Sequence, residues 1–127
     1  MPREAVNAPD APKPVGPYSQ AVKFGKFIFV SGQVPLDPAT SNLYVSSTEN
    51  QTKRIMENIK AILAAAGAGM ENVVKTTIYL KDLNEMKFVN NVYAMYFGNN
   101  PPARSAVQVS RLPKEAQMEI EVIALLD

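Results

Sequence analysis

The sequence predicts a two-layer α+β domain of order β-β-α-β-α-β-β, with two helices packed on one face of a mixed sheet. Three observations predict it. Two segments repeat apolar residues at helical spacing, β-branched runs sit before, between and after them, and the last run alternates apolar and polar positions. A chain of 127 residues with no internal repeat and no break in composition makes one domain, residues 1–127.

Residues 1–17 carry Pro2, Pro9, Pro12, Pro14 and Pro17, which argues for an extended arm rather than a packed element. Residues 18–24 alternate as a short strand, Gly25-Lys26 supplies a turn, and residues 27–34 form a nearly continuous apolar strand, so a hairpin is expected. Residues 35–46 are a Pro-, Asp-, Thr- and Ser-rich loop. Thr48 begins a helix, with capping-box spacing to Gln51; Ile55, Met56, Ile59, Ile62, Leu63 and Ala66 share one face, and Gly67 ends it. Residues 73–80 read as a strand. Asn84 is placed to cap a second helix whose broad face carries Phe88, Val89, Val92, Tyr93, Tyr96 and Phe97, stopped by Gly98. Strands follow from Ala103 and from Gln117, and each β-helix-β crossover favours parallel neighbours.

The final strand predicts more than its own existence. Met118, Ile120, Val122 and Ala124 make one apolar face, while the other changes from Gln117, Glu119 and Glu121 to Ile123 and Leu125. Two helices cover only one face of a sheet, so the apolar remainder predicts packing between subunits. In a simple hairpin of the last two strands, Glu119 would lie opposite Gln108 rather than Arg104, an offset of roughly 13 Å along a strand. Either those strands are not neighbours, or the two charged residues meet across subunits.

Composition removes several chemistries. The chain has no Cys and no His, hence no thiol nucleophile, no disulfide and no imidazole base, and any catalysis rests on carboxylates, Arg, Lys, Tyr, Ser and backbone groups. A net charge of +1, with both signs interleaved, gives no footprint for nucleic acid, and no apolar run is long enough to span a membrane. The N-terminal residues lack an apolar leader core, so a cytoplasmic location is expected.

Arg104 stands among small apolar residues at a strand start, where a planar fork suits bidentate binding of a carboxylate; the plainer reading is a structural salt bridge. Glu119 raises the same question with opposite sign, and Glu121 shares its face. Tyr18 and Ser19, after Gly16-Pro17, are placed to point a hydroxyl into a cleft or merely to pack. Gly32 marks either a bulge or a close approach to its backbone. Gly67-Ala68-Gly69 is a helix stop, not a phosphate loop. Lys75 and Lys81 flank a strand without the apolar pocket a Schiff-base lysine needs, and no acidic cluster has metal-ligand spacing.

The segments Gly16-Pro17-Tyr18-Ser19-Gln20-Ala21, Val30-Ser31-Gly32-Gln33-Val34-Pro35, residues 74–82, Pro102-Ala103-Arg104-Ser105 and Arg111-Leu112-Pro113-Lys114, the last running into Met118-Glu119-Ile120-Glu121, carry a resemblance. In order and spacing the chain resembles the RidA family of 2-iminobutanoate/2-iminopropanoate deaminases. The resemblance implies a chorismate-mutase-like fold assembled as a homotrimer around a central barrel of sheets, with the last strand threaded between core strands and sites between subunits. It implies hydrolysis of small 2-imino acids, by-products of pyridoxal-phosphate-dependent dehydratases, to 2-oxo acids and ammonia, with no metal or cofactor. Arg104 would bind the substrate carboxylate and Glu119 would hold or activate water, with Tyr18, Gly32 and Asn90 lining the cleft. Many relatives have Cys where this chain has Ala106, so only that residue's backbone is left a role in substrate binding. Endoribonuclease or translation-inhibitor activity, non-enzymatic carboxylate binding and holdase action are the rival expectations.

Overall fold

The structure is a computed structural model describing residues 2–127. Six strands, β1 (Glu4–Val6), β2 (Ala21–Phe24), β3 (Phe27–Gln33), β4 (Val73–Leu80), β5 (Ala103–Gln108) and β6 (Met118–Leu125), form one sheet. Their order is β1-β2-β3-β6-β4-β5, with α1 (Thr48–Ala65) and α2 (Met86–Phe97) on one face. Only β4 and β5 pair in parallel. The expected two-layer α+β architecture is present, with one strand more than the sequence reading gave.

That extra strand corrects the reading of the arm. Residues 4–6 pair antiparallel with β2, and Ala8 and Ala11 are buried. The buried Gln20 carboxamide accepts from the Ala8 amide (2.7 Å) and donates to the carbonyls of Ala8 (3.0 Å) and Pro12 (2.9 Å). One side chain thus supplies the partners that proline-broken backbone cannot find in a ladder. Gly25 opens the two-residue turn between β2 and β3 at φ 61°, a left-handed value glycine takes without steric cost.

α1 follows its apolar period: Ile55, Met56, Ile59, Ile62 and Leu63 are fully buried. Its cap is Ser47, not Thr48; the Ser47 hydroxyl accepts from the Asn50 amide, while the Thr48 hydroxyl turns to the Glu85 carboxylate. The helix ends in a Schellman motif, with the amides of Gly67 and Ala68 bonding the carbonyls of Ala64 and Leu63 and Gly67 at φ 85°. A second cap also moves. Asp82, rather than Asn84, accepts from an amide, that of Asn84, and opens a 3-10 turn over Leu83–Glu85 before α2. On α2, Val89, Val92 and Tyr93 are buried, whereas Phe88 is exposed.

The strand β6 lies between β3 and β4, antiparallel to both. The first β-helix-β crossover therefore joins strands that are not neighbours, and only the second, through α2, gives a parallel pair. Strands β5 and β6 do not touch as neighbours, which resolves the register conflict. Met118, Ile120, Val122 and Ala124 of β6 are all buried beneath the helices. The opposite face is uncovered, and there Phe27 and Phe29 stack at 5.9 Å while remaining nearly half exposed. A smaller core of Val34, Leu36 and Ala116, with Leu43 and Leu112 against it, ties the 35–46 loop to the 111–116 loop. No helix among the described residues is long and apolar enough to cross a membrane.

Gln20→Leu leaves the Ala8 and Pro12 backbone groups unpaired in a buried place, and should cost about 2–4 kcal/mol of unfolding free energy in a urea titration. Proteolysis within residues 7–17 should accelerate as well.

Candidate active site

Glu119 sits where β3 breaks register with β6, between Val30 and Gln33. The break places Gly32 beneath the carboxylate. A Cβ built there would lie 2.1 Å from Glu119 Oε2, so a larger residue at this position would displace the carboxylate from where it stands. Gly32 therefore is both things the sequence allowed, an irregularity in the strand and a close approach. The same break is tied to the arm: the Ser31 hydroxyl donates to the Ser19 carbonyl at 2.6 Å and its amide to the Gln20 carbonyl at 3.0 Å. Those bonds set Tyr18 on the rim of a cleft of about 490 Å³ that also contains Gly32, Lys114, Glu119 and Glu121. Lys114 and Glu115 hold left-handed φ values of 58° and 57°, a strained pair of non-glycine residues carried by the smaller core beneath them.

Half-burial, and next the neighbouring charge of Glu121, push the Glu119 carboxyl above its ordinary 4.5. Glu121 accepts a 2.5 Å hydrogen bond from the Tyr79 hydroxyl. That bond, with burial, pushes the Tyr79 phenol up to about 12, so it stays a donor. A carboxyl raised in this way exchanges protons at neutral pH better than an ordinary one.

Arg104 lies elsewhere. It pairs in register with Thr76 of β4, whereas Glu119 pairs with Tyr79. Thr76 is buried under the helices and Tyr79 faces away from them. The guanidinium and the carboxyl are thus on opposite faces of the sheet, a full strand and three registers apart. Arg104 donates from Nη1 to Asn90 Oδ1 at 2.7 Å, and its Cζ lies 5.0 Å from the Tyr93 ring centroid. With Pro101, Pro102 and Phe97 these residues line a second cleft of about 320 Å³. Ala106, two residues on, shares the helix-covered face and packs partly against the core.

Of the residues singled out in the sequence, one chain brings Tyr18, Gly32 and Glu119 into the first cleft and Asn90 and Arg104 into the second. The sequence reading passed over Tyr93, which reads as core at its helical spacing, and Lys114. Standing three residues after Asn90, on the same side of a helix, was the available signal for Tyr93. Among the described residues no group of three or more His, Cys, Asp or Glu is placed to hold a metal ion.

Fold and clefts define a small α+β protein that offers a cationic fork on one face and a protonatable carboxyl on the other. The chain belongs to the Rid family: the family described as Endoribonuclease L-PSP matches residues 8–126. A RutC family protein of Pyrococcus abyssi is 56% identical over 124 residues, covering 98% of each chain. The human 2-iminobutanoate/2-iminopropanoate deaminase is 42% identical over 123 residues, covering 97% of this chain and 90% of that protein. Among solved structures, E. coli TdcF with bound serine superposes with a TM-score of 0.92 at 38% identity, covering 98% of this chain and 99% of that one.

The raised carboxyl has a consequence for stability. The folded state holds the Glu119 proton more tightly than the unfolded state. Its contribution is therefore most favourable below pH 4.5 and declines as pH rises from there through the folded pKa. Glu119→Gln cannot titrate. Relative to wild type, its unfolding free energy should improve across that window and run parallel outside it, as read from denaturant unfolding at a series of pH values.

Proposed function

We propose that the protein hydrolyses small reactive 2-imino acids, 2-iminobutanoate and 2-iminopropanoate among them, to 2-oxo acids and ammonia. The observation that carries this is the complementarity of two incomplete clefts, a carboxylate-binding fork without an acid-base group and a raised carboxyl without an anion-binding fork. Each needs what the other has, and they open on opposite faces of one sheet. A second copy of the chain supplies the missing half. The uncovered sheet face with its stacked phenyl rings supports such an assembly, and a homotrimer, which the family resemblance implies, is the proposed form of it.

In the assembled site the Arg104 fork takes both oxygens of the substrate carboxylate, held ready by Asn90. That fixes the imine carbon against a water on Glu119. The carboxylate removes a proton as the water oxygen bonds to carbon, and the C=N pair of electrons moves to nitrogen. Glu119 returns that proton to nitrogen, giving the neutral carbinolamine. It then takes the hydroxyl proton and passes it to nitrogen, so that the C–N bond breaks, ammonia leaves with both protons of the water, and the C–O bond becomes the carbonyl of the 2-oxo acid. No redox partner enters. The size and zwitterionic character of serine, bound to TdcF, and the activity named for the human relative support this substrate class. The family's endoribonuclease description has less support, since cleavage by a histidine acid-base pair is unavailable and the charge is balanced. A cytoplasmic location remains part of the proposal.

The test is 2-oxobutanoate release in a coupled assay with threonine dehydratase. Wild type should accelerate release and Arg104→Ala should abolish the acceleration without dissociating the oligomer; full activity in Arg104→Ala removes the assignment. Arg104→Ala and Glu119→Gln subunits, each inactive alone, should regain roughly a quarter of wild-type activity when co-refolded in equal amounts, because random assortment pairs an intact Arg104 with an intact Glu119 in that share of sites. No recovery would place the two residues in separate functions. Gly32→Ala pushes a flexible carboxylate rather than backbone, so turnover should fall tenfold or more, roughly, while Tm stays near wild type.

A further inference from the structure

We infer that Tyr93 is a positioning residue for Arg104, its ring face holding the guanidinium and its hydroxyl locking the ring to Thr76. The inference rests on reading Arg104 as the carboxylate anchor. Tyr93 is nearly buried and Thr76 fully so, and their hydroxyl oxygens are 2.8 Å apart. A buried phenol with a partner on the sheet has one ring orientation. The guanidinium carbon stands 5.0 Å from that ring's centroid, and Asn90, one helical turn earlier on α2, accepts from Nη1 at 2.7 Å.

Neither contact neutralises the arginine. Among the described residues the salt bridge is Arg111–Glu115, and Arg104 has no carboxylate against it. A structural arginine at an exposed strand edge would be expected to take an acidic partner. This one is oriented by a neutral amide and a π face, which leaves its charge for a ligand. Fixing a long side chain before the substrate arrives removes an ordering cost from each binding event. A core tyrosine chosen only for volume would need neither the hydroxyl latch nor the cation above it.

Tyr93→Phe and Tyr93→Leu separate the two roles. Tyr93→Phe keeps the ring and unpairs Thr76, so Tm should fall while KM for 2-iminobutanoate stays within about twofold. Tyr93→Leu removes the ring, so KM should rise about fivefold with kcat unchanged. The second readout needs no turnover. In wild type the Arg104 Nε–Hε resonance, assigned by its loss in Arg104→Lys, should be ring-shifted, should remain so in Tyr93→Phe, and should move to the value of a free arginine in Tyr93→Leu. An unmoved resonance and unchanged KM in Tyr93→Leu would overturn the inference. Should wild type release no 2-oxobutanoate, the deaminase reading fails and the resonance alone decides Tyr93. Tyr93→Met, which fills more of the space, replaces Tyr93→Leu if that variant does not fold.

Discussion

The hydrogen bonding of β6 on both sides is the constraint from which the remaining features follow. It joins the β1-β2-β3 ladder to the β4-β5 pair, and its alternation assigns one face to each kind of chemistry. Met118, Ile120, Val122 and Ala124 anchor the helices, while Glu119 and Glu121 are delivered to the uncovered face. A slip of one residue would exchange these sets and bury two carboxylates beneath the helices. The cost of that exchange pins the register more firmly than any local preference does.

The remaining features around Glu119 are adjustments to that placement. A regular β3 would put side chains against the carboxylate; the irregularity at Ser31-Gly32 removes them, and the arm is then held over the gap by Gln20 and Ser31. The opposite wall depends on a satellite core whose only large side chains are aliphatic, yet it supports two consecutive left-handed residues. Strain of this kind persists only where surrounding packing over-determines it.

The helices were legible because 3.6-residue periodicity marks a buried stripe directly, as Ile55 to Leu63 show. The arm was not: five prolines argue against a ladder, but three residues suffice for one, and nothing local reveals that Gln20 satisfies the rest. Caps moved by one or two positions because Ser47 and Thr48, or Asp82 and Asn84, are equally able acceptors, and tertiary contacts such as Thr48 with Glu85 decide between them. Arg104 and Glu119 were visible as charges in apolar strands. Their separation was invisible, because a residue's face in the sheet depends on which strand lies beside it, and strand order is not a local property.

The place of β6 also governs how the chain acquires its structure. The strand that joins the two halves of the sheet is the last of the six along the sequence. Until it arrives, β3 and β4 each present an open row of amides and carbonyls, and neither half has a complete apolar floor for α1. Local hairpins and helices form early, but the joining step waits for contacts of large sequence separation, the slow class in folding. During synthesis the exposed edges of β3 and β4 would therefore stay available to other nascent chains, and protection of this protein by chaperones matters most just before its final strand is made.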